Sequence, residues 1–463
     1  MSDDVTLDGF AEDGNEDTDD QTPQRQHLPE VGELPSNWHL VTVEDIADKI
    51  VGGGTPTKSN EEYWGGEIPW ASVKDLNGIR LAETEDYITE SGVKNSATNL
   101  VPADSIIIST RMTVGEPFLN EVDMAINQDM KAIIPDTEQT NSLFAVYSLW
   151  DKDPYLKSLG RGTTVDGITT RDLSSTHLGL PSLPEQRKIA TVLHTVDQAI
   201  QKTEEIVGQR KRVKRGLLQN LFKRGIDTNG NLRSRPSEEP DLFKEEYGRT
   251  MPSAWDIKKL ADLGEWVSGK TPKRSESSYW GGDIPWITAK DMKSLYVEES
   301  EDNITQKAMD EGATIVSPES VLVLVRGMIL DHTLPVVRPQ KETSFNQDVK
   351  AILPNKSVDP DYLAYWLKAH SNEVLALGTS ASHGTKRLAT DAFGNLAVPI
   401  PPEEEQTAMI ERISSIGKLV KNETSYIAQL KLLKKGLMQD LLSGKVRTTN
   451  TNIEVPEEVA KYG

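Results

Sequence analysis

Cysteine is absent from this chain of 463 residues, which excludes thiol catalysis, thiolate metal sites and a disulfide framework. Histidine is scarce: there are seven, and none stands at an HxxxH or HExxH spacing, so a structural or catalytic zinc site has little to build on. No apolar run approaches the length of about 18 residues that a spanning helix needs, and no charged-then-apolar leader opens the chain, so a soluble, cytoplasmic protein is expected. Basic residues are also in deficit, 51 Lys and Arg against 72 Asp and Glu, for a net charge of −21. Much of that deficit is local. The first twenty residues carry nine acidic side chains and no basic one, and without them the charge is about −12. Residues 1–33 therefore read as an acidic, disordered extension.

What the chain does have is two copies of itself. Leu34-Pro35-Ser36-Asn37-Trp38 returns as Met251-Pro252-Ser253-Ala254-Trp255, YWGGEIPWASVKDL (63–76) as YWGGDIPWITAKDM (279–292), INQDMKAIIPD (126–136) as FNQDVKAILPN (345–355), and KRGLLQNL (214–221) as KKGLMQDL (434–441). A period of about 215 to 220 residues is domain-sized, far above the 20 to 50 of solenoid units. Each copy divides at a proline pair, Pro181/Pro184 and Pro399/Pro402, followed by glutamate. Proline holds the preceding residue extended and is tolerated in the first helical turn, where acidic side chains suit the helix dipole.

Helices are thus expected to start near 184 and 402. The seam runs through Leu193, Val196, Ile200, Val207, Val213, Leu217 and Leu221 in one copy, and through Ile413, Ile416, Val420, Ile427, Leu430, Leu433, Leu437 and Leu441 in the other. Steps of three and four residues make a heptad stripe. A helix of about 38 residues, roughly 57 Å long, cannot bury so narrow a stripe alone. The economical partner is the matching helix, in an intramolecular antiparallel coiled coil with pseudo-two-fold symmetry that brings residues near Leu193 within a turn or two of Leu433.

The globular parts mix strand and helix signals, with buried strands expected at 105–111 and 320–326, each ending on arginine, and helices near 142–150 and 361–369. The fold class is α+β with a mixed sheet. The expected division is 1–33, 34–182, 183–225 (helix), 226–250 (linker), 251–398, 399–445 (helix) and 446–463 (C-terminal tail).

One motif competes for attention. Gly264-Glu265-Trp266-Val267-Ser268-Gly269-Lys270-Thr271 matches GxxxxGKT, but it lacks a buried strand before it and an apolar-periodic helix after it, and the other copy has Asp48 and Gly54 at the aligned positions. A P-loop nucleotide hydrolase on residues 264–271 is the enzyme alternative; a coiled-coil scaffold that binds no DNA is the structural one.

The duplicated set of Gly53-Gly54-Thr55-Pro56 and Gly269-Lys270-Thr271-Pro272, the YWGG and IPW blocks, the Asn-Gln-Asp triplets at 127–129 and 346–348, and a long helix begun by Pro-Glu resembles the specificity (S) subunits of Type I restriction-modification systems. The resemblance covers about 34 to 445. It implies two target recognition domains, 34–182 and 251–398, each reading one half of a bipartite double-stranded DNA site, joined by two spacer helices. It implies a non-catalytic chain with no cofactor or metal of its own. The partners implied are two methyltransferase subunits and restriction/translocase subunits, which carry S-adenosylmethionine, ATP and Mg.

Candidate DNA contacts are Lys58, Lys74, Lys94, Arg111, Arg161 and Arg171 in the first copy, and Lys273, Arg274, Lys290, Arg326, Lys386 and Arg387 in the second. Arg111 and Arg326 stand out because strand ends deliver side chains to a surface, and Arg161 and Lys386-Arg387 because they fall on expected loops. Residues common to both copies, Trp64, Trp70, Trp280 and Trp286 among them, are read as framework, since two domains reading different sequences should differ where they touch bases. The Asn-Gln pairs are expected to brace a turn rather than hold adenine. The basic run Arg210-Lys211-Arg212, with Lys214 and Arg215, is either a solvated face or a site for DNA backbone or a partner.

Overall fold

Ile106–Ser109, three isoleucines and a serine, and Val321–Leu324, alternating valine and leucine, are buried on both faces, and each becomes the central strand of a five-stranded sheet. The computed structural model describes residues 31–76, 78–160, 167–380 and 385–463; the acidic stretch 1–30 and Arg161 lie outside them. The described chain forms two units, one of residues up to Ile200 together with Gln429–Gly463, the other of Gln201–Ala428. The division falls inside each long helix, not at its ends.

In the first unit the sheet order is Ala47–Gly52, Met130–Pro135, Ile106–Ser109, Gly115–Asn120 and Arg80–Leu81, antiparallel except for the last pair. A four-stranded mixed sheet built on Trp64–Ala71 accompanies it. The second unit repeats this strand for strand: Gly264–Ser268, Val349–Pro354, Val321–Leu324, Val336–Pro339 and Tyr296–Val297, with Trp280–Ile287 in the four-stranded partner. One helix covers each large sheet, Ser142–Asp151 and Pro360–Ala369, burying Phe144 and Tyr147 in one unit and Tyr362 and Trp366 in the other. The α+β class with mixed sheets is the one the sequence indicates.

The long helices run Leu183–Arg224 and Glu403–Leu442. Each is followed by a glycine in the left-handed region, Gly225 (φ +63°) and Gly444 (φ +72°), whose amides bond back to Leu221 and Leu441 as helix C-termini favour. Within the first unit Leu193 shares a core with Leu437 and Leu441, and Asp197 pairs with Lys434 at 2.6 Å. Within the second, Arg210 pairs with Glu423 at 2.9 Å, and Leu217 and Leu221 pack with Met409 and Ile413. Rising numbers on one helix meet falling numbers on the other, so the segments pair antiparallel in both units.

Two expected seam residues are corrected. Val213 is 59% exposed and Leu433 51%. The strict heptad from Leu193 passes through Ile200 and Val207 and lands on Lys214, one residue beyond Val213; the same shift puts Lys434 in place of Leu433. A seam lysine is invisible to a search for apolar positions.

The segments after the helices are packed rather than loose. Val459 and Tyr462 are buried in the first unit, where the Tyr462 carbonyl accepts the Ser142 amide. Ile226 and Met251 are buried in the second, whose connection also forms a hairpin, Phe243–Glu246 with Arg249–Pro252. Both segments deliver an arginine to a buried glutamate at a helix start. Arg447 forms two bonds with Glu185, at 2.8 and 2.7 Å, and Arg233 two with Glu405, at 2.5 and 2.9 Å. Trp38 and Trp255, the tryptophans of the Pro-Ser-x-Trp repeats, donate their indole N–H to the same carboxylates at 3.3 and 3.1 Å. These are charge-assisted, bidentate contacts to carboxylates closed off from water.

Candidate nucleic-acid interface

The duplicated motifs interlock into one frame. Gly65 (φ +74°) and Gly281 (φ +78°) turn the chain through the left-handed region, as residues without Cβ do at little steric cost, and let each tryptophan pair close edge to face, Trp64 with Trp70 at 5.2 Å and Trp280 with Trp286 at 5.1 Å. Their indoles pin the Gly-x-Thr-Pro loop: Trp70 donates to the Gly54 carbonyl at 3.0 Å and Trp286 to that of Lys270 at 3.1 Å. Trp70 and Trp286 are buried, while Trp64 and Trp280 are half-buried. The same loop reaches the Asn-Gln-Asp turn through Thr55 with Gln128 and Thr271 with Gln347. Asn127 and Asn346 spend their side-chain oxygens on the amides of Asp129 and Asp348 at 3.0 and 3.1 Å. The triplet braces its own turn.

This frame rules out the phosphate-cradling reading of residues 264–271. Gly264–Ser268 is a strand paired with Val349–Pro354, where a P-loop needs an open turn. Beyond it the Lys270 amide is committed to the Phe345 carbonyl at 3.0 Å, and a Cβ on Gly269 would stand 2.2 Å from the Asn346 carbonyl oxygen. No ring of free amides remains for a nucleotide.

The frame carries the basic candidates to different places. Lys74 lies 3.9 Å from both Glu85 and Asp86, and its counterpart Lys290 lies 3.5 Å from Glu301. Arg274 stacks on Trp280 and Trp286, at 3.9 and 4.7 Å, and bonds Asp302 at 2.8 Å. Its cation is therefore held by the frame. Lys58, Lys94, Arg171 and Lys273 are exposed.

One group does converge. Arg326 and Arg387 are directly paired across neighbouring strands, Arg326–Gly327 and Lys386–Leu388, with Lys386 opposite Gly327. Both arginines are exposed, and Lys386 reaches Asp331 at 3.2 Å. The equivalent Arg111 in the first unit is also exposed, two residues beyond the end of the central strand, and bridges to Gly167. Beside these arginines stand exposed apolar side chains, Met112 (63%) and Met328 (71%), which a search confined to charged residues passes over. Their signal was in the sequence: each closely follows a strand-end arginine, in Arg111-Met112 and Arg326-Gly327-Met328.

A family profile for the Type I restriction modification DNA specificity domain matches residues 35–207 and again 252–432. The chain belongs to that family. It is 25% identical over 427 residues to the MjaIX specificity subunit of a Type I restriction enzyme from Methanocaldococcus jannaschii, covering 90% of this chain and 95% of that one. The EcoR124I/EcoR124II specificity subunit from Escherichia coli is 28% identical over 169 residues, 36% of this chain and 42% of its own. Among solved structures, the S subunit of the Type I restriction-modification system from M. genitalium aligns with a TM-score of 0.57 at 15% identity, over 89% of this chain and 98% of that one. A chain from a study of complex assembly and conformational transition in the type I R-M system aligns at 0.54 and 16%, over 89% and 100%. These two likenesses concern the fold.

The two specificity domains thus share the tryptophan, glycine and Asn-Gln-Asp frame and differ at the strand-end surface. In the first domain Arg111 faces the segment that begins at Gly167; in the second Arg326 is joined by Lys386 and Arg387 on a strand. Of the basic run on the first long helix, Arg210 is used by Glu423, Lys211, Arg212 and Arg215 are exposed, and Lys214 turns inward.

Proposed function

We propose that this chain is the DNA sequence-recognition subunit of a Type I restriction-modification complex, in which each specificity domain reads one half of a bipartite double-stranded site. The observation that carries this reading is the pairing of a common frame with unlike strand-end surfaces: the same scaffold presents Arg111 and Met112 in one domain and Arg326, Arg387 and Met328 in the other. Arginine forks suit guanine edges in the major groove, and exposed methionines suit contact with base faces or thymine methyls. Lys58, Lys94, Arg171 and Lys273 serve as backbone contacts that position without specifying.

The chain performs no chemistry in this reading. It docks two methyltransferase subunits, which bring S-adenosylmethionine and methylate adenine, and restriction/translocase subunits, which bring ATP and Mg. DNA surfaces one helical turn apart are about 34–36 Å from each other, and the long helices set how many unread base pairs separate the half-sites. Co-expression with the cognate methyltransferase, followed by mapping of methylated adenines, tests it. A two-part motif with an unread gap is expected; an undivided motif, or no methylation, overturns the proposal. Binding that weakens linearly in log salt separates DNA recognition from a scaffold that never touches DNA.

A further inference from the structure

Lys214 and Lys434 hold the same position in the two copies, at the start of KRGLLQNL and KKGLMQDL. Each ammonium lies over a tyrosine that is also repeated, Lys434 over Tyr147 at 5.4 Å and Lys214 over Tyr365 at 5.8 Å. In the first unit a carboxylate completes the arrangement. Asp197 takes Lys434 at 2.6 Å on one oxygen and the Tyr147 hydroxyl at 2.7 Å on the other. The residue aligned with Asp197 in the second copy is Gly417, and Lys214 has no carboxylate partner among the described residues. Its ammonium is half-buried, and burial alone holds it below the ordinary lysine range. At neighbouring Lys368 burial, with repulsion from Lys214, acts the same way.

Where the first unit has the Asp197 carboxylate, the second has a cavity of about 470 Å³ lined by Lys214, Tyr296, Tyr365, Gly417, Lys418 and Lys421. That volume lies within the range of small-molecule sites. We propose that it binds a phosphate-bearing small molecule, whose phosphate takes the place that Asp197 holds in the other copy. One carboxylate matches one lysine. Here Lys214, Lys418 and Lys421 line a single space, which calls for more than one negative charge, and a phosphomonoester carries about −1.5 to −2 at neutral pH. The rings of Tyr296 and Tyr365, which line the cavity, form an apolar wall for the organic part of the ligand. This site goes beyond DNA reading and does not depend on it.

Titration calorimetry on the full chain at constant ionic strength tests the proposal, with inorganic phosphate and phenyl phosphate as separate probes and potassium chloride as control. Saturable binding of either probe at one site is expected. Tighter binding of phenyl phosphate assigns the cavity to an organic phosphomonoester, and equal binding assigns it to free phosphate. Gly417→Asp rebuilds the internal carboxylate, and its Cβ would meet only the flexible end of Lys214, at 3.3 Å. It and Lys214→Met should each weaken binding by about tenfold or more, the scale of one charge-assisted hydrogen bond. Should Lys214→Met fail to fold by circular dichroism, Gly417→Asp carries the test. Absence of saturable binding at millimolar probe, or unchanged affinity in Gly417→Asp, overturns the proposal. The methylated DNA motif stays the same in every case, so the two readings fail independently.

Discussion

Replacing Arg447 with methionine keeps most of the side-chain stem and removes the cation that faces Glu185. The Glu185 side chain is 1% exposed and that of Arg447 28%. The variant leaves a carboxylate closed off from water with one remaining side-chain donor, the Trp38 indole at 3.3 Å. Removing one partner of a buried ion pair costs about 3–5 kcal/mol. The partial exposure of Arg447 sets this case at the lower end, about 3 kcal/mol, well above the 0–1 kcal/mol of a surface pair. For a cooperative unit of this size that is a fall of about 6–12 °C in midpoint.

The pH dependence has a definite sign. In the native chain burial pushes the Glu185 carboxyl up, but the Arg447 bonds and charge and the Trp38 indole outweigh it and hold the group below the usual carboxylate range. Its contribution is therefore complete above the unfolded value of about 4.3 and is lost as pH falls through the folded one. In Arg447→Met burial is opposed only by the Trp38 indole and the Thr448 backbone, so the folded value rises and the variant loses less stability on acidification than the native chain does. The deficit should shrink on acidification, and Glu185→Gln added to Arg447→Met should recover part of it at neutral pH. Urea unfolding across pH measures the difference, and hydrogen exchange assigns it to the first unit. A loss under about 1 kcal/mol, or a deficit that widens toward low pH, would refute the reasoning.

Other outcomes follow from the same geometry. Arg326→Ala and Arg387→Ala should each cost about 1–3 kcal/mol of discrimination at one half-site and leave the other intact, while Arg111→Ala should do the reverse; methylation mapping reads both. Leu193→Ala should destabilise by about 2–5 kcal/mol, because it empties a core position, whereas Val213→Ala should stay within about 0.5 kcal/mol; denaturant midpoints decide between the structural seam and the apolar pattern. Trp286→Phe strands the Lys270 carbonyl and should cost about 1–3 kcal/mol in thermal unfolding, with the half-site read by the second domain unchanged.

The sequence made the duplication, the α+β class, both long helices and the central strands readable, because each rests on local periodicity or on a repeated block. Helix starts expected near 184 and 402 fall at Leu183 and Glu403. What it hid depends on distant partners. Nothing near Lys214 or Lys434 announces that a lysine belongs in a seam, since the tyrosines that receive them are far away in the chain. Arg274 and Lys74 look like free cations until the fold brings Asp302 and Glu85 beside them. Residues 446–463 read as a C-terminal tail, yet Arg447 and Tyr462 find their partners hundreds of residues earlier. The strand-end arginines were legible because strand and arginine are adjacent. Their convergence with Lys386 was not, because it needs a strand pairing that no local pattern encodes.

The glutamate seals have a consequence for domain exchange. Trp38 enters one specificity domain and Glu185 leaves it, and both are fastened to Arg447, which belongs to neither end of that stretch. In the other domain Trp255 and Arg233 both bond Glu405. Everything between the tryptophan and the glutamate is thus held by its two mouths, like a cartridge in a socket whose fittings lie outside it. Replacing one such stretch by another of the same ends, with a join on each side, leaves Arg447 or Arg233 in place to receive it.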